Sequence, residues 1–442
     1  MPKLEEFSAD PKNQRFLRNS IQGRKIMHLT REEERIYNGE LGWGKKKAME
    51  ILVTIGDIFG AEKLIEIKNA HVSGVSYKTI GDAGLEFIEN LSSRVSVETT
   101  LNPIGLDRER WREMKIDPLF AEKQFQVLSA YKKLGINDVC TCTPYYLEDT
   151  SNQRFETRKS KICDVKIKEG ENLAWAESST TIYANSVLRA KTNRESGISA
   201  LASAIIGKTP EYGYHLEENR IPEILIDLLE EIEDSDYGVL GYILGEDIKD
   251  KVPSFRFLKS PSKEELKYLG AGLASSGSVA LFHFHVASNR RFDTRGSKIR
   301  DASSSAEELK IEEKIAITKK EIEEVYKEKE YLTPDMVVIG CPHCSVGELK
   351  KIYRLLKGKR TKKDIWICTS RYVHEKYKEI VEGIERSGAK VLCDTCPIVS
   401  PSLKNHDCVM VNSGKAYNYL PSMNNVHAKI GRTEECIREA IS

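Results

Sequence analysis

Three of the ten cysteines in this chain sit in short Cys-Pro or Cys-Thr-Pro contexts directly after β-branched, strand-like runs. They are Cys142 in Val139-Cys-Thr-Cys-Thr-Pro-Tyr145, Cys341 in Val337-Val-Ile-Gly-Cys-Pro-His343 and Cys396 in Val391-Leu-Cys-Asp-Thr-Cys-Pro397. Ligands of an open α/β sheet gather at the carboxyl ends of its strands. Cysteines placed there can converge on one point from distant parts of the chain. Three thiolates are one short of the four that usually hold an iron–sulfur cluster. An iron left open in that way can act as a Lewis acid on a substrate hydroxyl.

Other readings of the same residues stay open at this level. Cys341 with Cys344, and Cys393 with Cys396, form two Cys-x-x-Cys pairs that could hold structural zinc in a non-catalytic scaffold. A full βαβα segment separates them, whereas small zinc modules space their pairs by about 15–20 residues. A thioredoxin-like redox pair would need to open a helix, and a lone nucleophilic cysteine is a further rival. The third element, at 140–142, favours a cluster over these. Cys163, Cys368, Cys408 and Cys436 read as small buried hydrophobes.

The histidines and loops suggest where a substrate would sit. His283 and His285 share one face of a strand, as alternate residues do, and read as cleft or core histidines more readily than as metal ligands. His343, beside Cys341, suits hydrogen bonding around a bound group. The Gly-, Ser- and Thr-rich stretches 71–82, 192–197 and 272–278 are rich in backbone donors. With His71, Lys78, Arg194 and Lys415 they could hold an anionic substrate. None matches a phosphate-binding loop or a dinucleotide fingerprint.

The chain of 442 residues suggests about two to three domains. Its 68 basic and 67 acidic residues create no global field toward nucleic acid or an anionic membrane. The N-terminus lacks an apolar signal core, and no stretch approaches about 18 consecutive apolar residues. Ten cysteines without a signal argue for reduced thiols or metal ligation. The expectation is a soluble cytoplasmic protein without a membrane or nucleic-acid partner.

Residues 1–26 read as a surface extension. Thr30-Arg-Glu-Glu-Glu opens a helix, and further helices are expected near 43–59, ending at Gly60, and near 117–134, ending at Gly135. The stretch 63–110 reads as short strands and turns. Residues 220–252 suggest a strand, an acidic turn and another element. A small-residue stretch from Gly270 leads into a buried strand, and a helical tract falls near 318–330. From 334 strands and helices alternate regularly, with strands at 336–340, 364–369, 390–394 and 407–412. Helices fall between them at 346–357 and 372–386, and another closes the chain at 433–441. That alternation predicts a doubly wound parallel sheet whose strand ends deliver Cys341, Ser370, Cys396 and Ser413 to one edge.

Read together, ten ordered strings resemble the aconitase X family, a branch of the aconitase superfamily. They begin with His71-Val-Ser-Gly-Val-Ser-Tyr-Lys-Thr-Ile-Gly-Asp82, Thr99-Thr-Leu-Asn-Pro103 and Cys140-Thr-Cys-Thr-Pro-Tyr145. Next come Ala174-Trp-Ala-Glu-Ser-Ser179, Tyr183-Ala-Asn-Ser-Val-Leu188, Thr192-Asn-Arg-Glu195 and Gly207-Lys-Thr-Pro-Glu-Tyr-Gly213. Gly340-Cys-Pro-His343, Asp394-Thr-Cys-Pro397 and Asn412-Ser-Gly-Lys-Ala416 complete the series. The resemblance runs over about residues 27–442. It implies an α/β, aconitase-like fold of several parallel-sheet layers, with domains over 27–333 and a doubly wound C-terminal domain over 334–442. Insertions interrupt the first part near 147–171 and 287–317.

The resemblance also implies a hydro-lyase that dehydrates a small anionic hydroxy acid on a [4Fe-4S] cluster with one open iron. By motif the cluster ligands are Cys142, Cys341 and Cys396, although Cys140, Cys344 and Cys393 lie within three residues of them. Lys78, Glu177 and Arg194 are the catalytic candidates, with Glu177 an acid or an orienting partner of Arg194. His71, Ser73, Gly74, Asn102, Ser178, Asn193, Ser413 and Lys415 are the substrate-binding candidates. The family implies a small swivelling domain carrying the serine base. This chain is expected to lack it and to need a small-subunit partner. Family members act on mevalonate 5-phosphate or on cis-3-hydroxy-L-proline. The separate-chain form and the Lys- and Glu-rich composition lean toward the former.

Overall fold

A computed structural model describes residues 27–147, 166–249, 251–287 and 311–442. The expected extension over 1–26, most of both insertions and Cys163 lie outside the described residues.

Helix limits follow local chemistry. Thr30 and Glu33 close a reciprocal cap on the helix Arg31–Tyr37. The helix Trp43–Phe59 stops at Gly60, whose φ of 72° closes the last turn in the left-handed region. Asp117 accepts from two amides at the start of Pro118–Lys133, where Pro118 has no amide to lose.

The strands form four sheets. β1 (Leu64–Glu66) pairs antiparallel with β5 (Lys208–Pro210), while β2 (Asn69–Val72), β3 (Glu98–Leu101) and β4 (Ala174–Trp175) make a parallel sheet ordered β3-β2-β4. A second parallel sheet, ordered β8-β7-β6-β9, contains β6 (Ile224–Leu228), β7 (Pro253–Phe257), β8 (His283–Val286) and β9 (Glu313–Ile317). The third contains β10 (Met336–Cys344), β11 (Asp364–Thr369), β12 (Lys390–Cys393), β13 (Cys408–Val411) and β14 (His427–Ile430). Its order is β12-β11-β10-β13-β14, parallel throughout. The molecule is thus an α/β protein of several parallel sheets, as expected.

Both faces of the third sheet are buried, which explains its continuous apolar strands. Val337, Ile339, Ile365, Ile367 and Val391 pack under the helices Val346–Leu356, Lys378–Glu385 and Thr433–Ile441. The alternate residues Val338, Trp366, Leu392 and Val409 join a core shared with the other sheets. Period-2 alternation therefore ties this domain to the rest of the molecule.

Several expectations are corrected. The 71–82 stretch is a loop only as far as Ser76, because the helix Tyr77–Asn90 begins there and bends at Gly81. Residues 272–276 belong to the helix Lys263–Ser276 rather than to a loop. Their small side chains let that helix lie against the helix Asp236–Ile248. A Cβ on Gly272 would stand 2.5 Å from Gly238 O and 2.7 Å from Tyr242 N. The single helix expected over 372–386 is two, Arg371–Lys376 and Lys378–Glu385. The helix Gly414–Asn424, with Pro421 inside it, and β14 were both unexpected.

A Gly272→Val substitution should cost about 3 kcal/mol, because the added branch meets backbone that cannot rotate away. An unchanged urea midpoint would show that the two helices have room to part.

Candidate active site

The third sheet reverses its winding between β10 and β13, the switch point where α/β sheets bind ligands. Cys341 stands near the end of β10. Ser413 follows β13 and caps the helix Gly414–Asn424 through Ala416 N, which sets Lys415 in its first turn. The first sheet brings its own strand ends to the same place. Leu101 at the end of β3 bridges Cys140 in parallel, and Ile104 bridges Thr395. Ile104 N donates to Asp394 O at 2.8 Å, and Cys396 N donates to Ile104 O at 2.9 Å. Asn102, Glu177 and Cys396 thus follow the ends of β3, β4 and β12, and Cys142 follows the bridge at Cys140.

At the centre Lys415 Nζ forms a buried ion pair with Glu177 Oε1 and reaches Ser179 Oγ at 3.2 Å. Glu177 caps the helix Ser178–Ser186, accepting from Thr180 N at 2.9 Å and Ser179 Oγ at 2.6 Å. Burial alone would raise the Glu177 carboxyl, but Lys415 and these donors bring it below its ordinary value. Burial likewise opposes the Lys415 charge, while Glu177 and the nearby Cys341 and Cys142 raise its pKa well above normal. Both groups stay charged.

Cys142, Cys341 and Cys396 all feel this pair. Burial pushes each thiol up, Cys341 to about 12, and Lys415 pulls all three back down. Cys341 lies close enough to Cys142 and to Cys396 for their charges to interact. Donors surround the sulfurs. His343 N donates to Cys142 Sγ at 3.2 Å, Ser413 supports Cys341, and the amides of Ile398 and Val399 support Cys396. Buried thiols of raised pKa ionise when a bound cation replaces their protons. Amide donors to sulfur are what tune iron–sulfur centres. This donor set suits a thiolate-bound cluster.

Their neighbours in sequence have other principal contacts, although Cys344 still lies near Cys142. Cys140 lies by Arg108 and Asp394, Cys344 by Glu348 and Lys267, and Cys393 by Asp394 and Arg371. Each Cys-x-x-Cys pair is split between two environments. Among the described residues no three Cys, His, Asp or Glu side chains are set around a single ion. That holds for Cys142, Cys341 and Cys396 as well as for the two Cys-x-x-Cys pairs, so the four close ligands of a structural zinc site, at about 2.0–2.3 Å, are not assembled at any of them. Cys368 is buried near these sulfurs, and burial and their charges raise its pKa.

The histidines beside the sulfurs are neutral. His343 is held to about 4 by burial; it bonds to Thr141 Oγ1 at 3.0 Å and to Thr395 O at 2.8 Å. The carbonyl requires the proton on Nε2, which leaves Nδ1 to accept from Thr141. Burial also holds His71 to about 4, with Nδ1 2.8 Å from Thr100 Oγ1. His71 Nε2 and Asn102 Oδ1 are buried side by side: Asn102 acts on the ring as a hydrogen-bonding neighbour, but no bond of good geometry joins the two atoms. Buried polar atoms are seldom left so, and these two are available to a bound molecule.

Other expected residues are placed differently. Lys78 is half-buried near Cys396, with Nζ on Asn424 Oδ1 at 2.7 Å and Met423 O at 2.8 Å. Ser178 Oγ donates to Glu177 at 3.3 Å. Gly74 takes φ 69°, and Ser73 O packs against Gly197, where a Cβ would collide. Asn193 is committed to structure, donating to Tyr212 O and accepting from Tyr214 N. Arg194 is exposed and makes no hydrogen bond or ion pair among the described residues, so Lys415 and not Arg194 partners Glu177.

Two buried networks escaped the sequence reading. Asp394, fully buried with φ 59°, is clamped by Arg108 at 2.8 Å and Arg371 at 2.6 Å. Behind β10, Lys267 and Tyr268 both bond to Glu348, while Lys267 also donates to His343 O at 3.2 Å. Nothing in local spacing links Asp394 to an arginine 286 residues away.

Parallel sheets whose strand ends gather buried thiols around a lysine define an α/β protein with its candidate site at the sheet edge. Three family models match consecutive parts of the chain: the aconitase X first domain over 26–158 and 159–218, the second over 222–327 and the third over 334–442. The chain belongs to the aconitase X family. It is 49% identical to the phosphomevalonate dehydratase large subunit of Methanosarcina mazei, over 94% of this chain and 97% of that one. It is 44% identical to the Methanocaldococcus jannaschii protein of the same name, over 93% and 100%. The crystal structure of Thermococcus kodakaraensis aconitase X in its holo form superposes with a TM-score of 0.78 at 39% identity, covering 94% of this chain and 100% of that one. Cis-3-hydroxy-L-proline dehydratase of Pseudomonas aeruginosa is 28% identical over 92% of this chain and 69% of its own length.

Asp394→Ala would leave two largely buried arginines facing each other and should destabilise the protein by about 3 kcal/mol. A thermal midpoint equal to wild type would show that the clamp is not structural. Histidine in an unfolded chain protonates below about 6.5, whereas buried His71, His215 and His343 resist protonation until about 4. The unfolded state therefore binds more protons in that window, and stability falls as the pH drops through it. Urea unfolding from about pH 7 to about pH 5 should show this slope, and His215→Gln should flatten it. An equal slope in the variant would contradict the burial argument.

Proposed function

We propose that this chain is the large subunit of a phosphomevalonate dehydratase, a hydro-lyase converting mevalonate 5-phosphate to trans-anhydromevalonate 5-phosphate. The observation that carries this reading is the gathering of Cys142, Cys341 and Cys396 around one Lys415–Glu177 pair. Relatives sharing 49% and 44% identity support the phosphorylated substrate over the hydroxyproline of a relative at 28%.

A [4Fe-4S] cluster held by these three cysteines would supply an open iron, the Lewis acid that makes water a tolerable leaving group. The chain itself does the rest. Lys415 offsets the negative charge of the thiolates. Glu177 stays ionised and anchors Lys415, so its role is positioning rather than proton donation. His343 orients the Cys142 loop through its backbone amide and Thr141. His71 Nε2 and Asn102 Oδ1 bind the substrate's polar head. Lys78, half-buried near Cys396, offers a cation to a carboxylate or phosphate, and developing negative charge is stabilised by such fixed donors.

The base is the serine of a small swivelling subunit. The names of the archaeal relatives as large subunits support that partner. So does the unmatched remainder of the Pseudomonas enzyme, which has room for a fused domain. No helix among the described residues is long and apolar enough to cross a membrane, in keeping with a cytoplasmic complex.

The reconstituted, anaerobically loaded two-chain complex should dehydrate mevalonate 5-phosphate and leave cis-3-hydroxy-L-proline unchanged. Preference for the proline substrate would overturn the substrate assignment. Cys341→Ser should lose iron, brown colour and activity together. Activity retained without iron would remove the mechanism.

A further inference from the structure

A cleft of about 410 Å³ opens between the helix Ser178–Ser186 and β8, away from the sulfur trio. It lies at the amino ends of the strands: Gly170 precedes β4, Pro222 precedes β6 and His283 begins β8. The site around Lys415 lies at carboxyl ends. The helix Ser178–Ser186 separates the two, because Glu177 caps its first turn while Asn185 and Ser186 in its last turn line the cleft. Its nine residues span about 13 Å.

The lining is basic. Arg189, Lys191, Arg220, His283 and His285 face Glu169 and Glu217 across it. Arg220 is tied into the wall by Asn185 Oδ1 at 3.2 Å and by the carbonyls of Asn185, Ala190 and Tyr214 at 3.0–3.1 Å. It forms no ion pair among the described residues, so its charge is held in place by neutral acceptors. The two carboxylates are 70% and 75% exposed, and they pair with Arg189 at 3.6 Å and Lys191 at 2.6 Å. Pairs with such solvated carboxylates contribute little and exchange readily. The excess positive charge is felt nearby. Burial lowers His283 and His215; the Arg220 carbonyl, 2.6 Å from His283 Nε2, opposes this at His283, while the Arg220 guanidinium acts to lower both, joined by Arg189 at His283 and Lys191 at His215.

We propose that this cleft binds a small phosphorylated anion of the diphosphate type, separately from the dehydration site. Arg189 and Lys191 would exchange their surface carboxylates for phosphate oxygens, and Arg220 would supply fixed charge behind them. A guanidinium and an ammonium facing one anion give the charge-assisted bonds that phosphates favour. The volume falls within the range of about 300–1,000 Å³ usual for small-ligand sites. The assignment is independent of the substrate proposed above.

The test is calorimetric titration of the full chain, alone and in its two-chain complex, with pyrophosphate and then with inorganic phosphate at low ionic strength. One equivalent of pyrophosphate should bind, with phosphate weaker. Arg189→Ala/Lys191→Ala should weaken pyrophosphate binding by about tenfold or more, and Glu217→Gln, which frees Lys191, should tighten it. Hydrogen exchange on pyrophosphate addition should slow at 185–191 and 213–222. Affinity unmoved by both variants, or protection confined to 337–345 and 394–416, would overturn the proposal.

Discussion

The buried pair of Lys415 and Glu177 is the interaction on which the rest of the site depends. Taking two charges out of water costs several kcal/mol per ion, and only close pairing with further hydrogen bonds offsets it. Both conditions hold here, since Ser179 and Thr180 complete the carboxylate and the pair is in direct contact. The pair also joins two sheets. Glu177 follows β4 of the first, and Lys415 follows β13 of the third. Without the lysine, Glu177 and three nearby sulfurs would concentrate negative charge in a space closed to water. Its cation permits so many potential anions to share one buried volume.

The sheets answer a related problem, how to bring residues more than two hundred positions apart to one point. Each parallel strand ends in a turn at the same rim, so one short motif after each strand suffices. The parallel bridge of Ile104 with Thr395 extends that logic between sheets, making two rims act as one. The Asp394 clamp then fixes the left-handed turn between Cys393 and Cys396, and sends the two sulfurs into different surroundings.

How much of this was legible in the sequence depended on the range of the interaction. The alternation after residue 334 is local, and the strands and most helices of the third domain could be read from it. The neighbourhood shared by Cys142, Cys341 and Cys396 was suggested by context, because Cys341 lies near the end of β10, Cys396 shortly after β12 and Cys142 just after the bridge at Cys140. Which member of each close cysteine pair faces Lys415 was not readable from spacing, since that is decided by residues far away in the chain. Arg194 and Asn193 carried the right residue types, yet one is exposed and the other is held by the backbone of Tyr212 and Tyr214. Tertiary packing also turned the Gly-, Ser- and Thr-rich segments at 77–82 and 272–276 into helices. At 272 the small residues permit a close helix crossing and do not form a flexible loop.

The polar groups around the sulfurs divide into two kinds. Thr141, His343 and Thr395 O form a closed chain, as do Lys267, Glu348 and Tyr268, whereas Asn412, which donates to Tyr268 Oη, keeps a buried Oδ1 without a partner. Closed buried networks of this sort rigidify the walls they occupy. By contrast, His71 Nε2, Asn102 Oδ1 and Thr395 Oγ1 are buried with no partner. His71 is next to last in β2, Asn102 follows β3, and Thr395 precedes Cys396. An unpaired buried donor or acceptor costs about 1–3 kcal/mol, so leaving several at one rim is expensive unless something else bonds to them. A small polar molecule entering between the sheets would recover that energy. The unpaired groups at these strand tips thus keep bonding capacity for a molecule entering between the sheets.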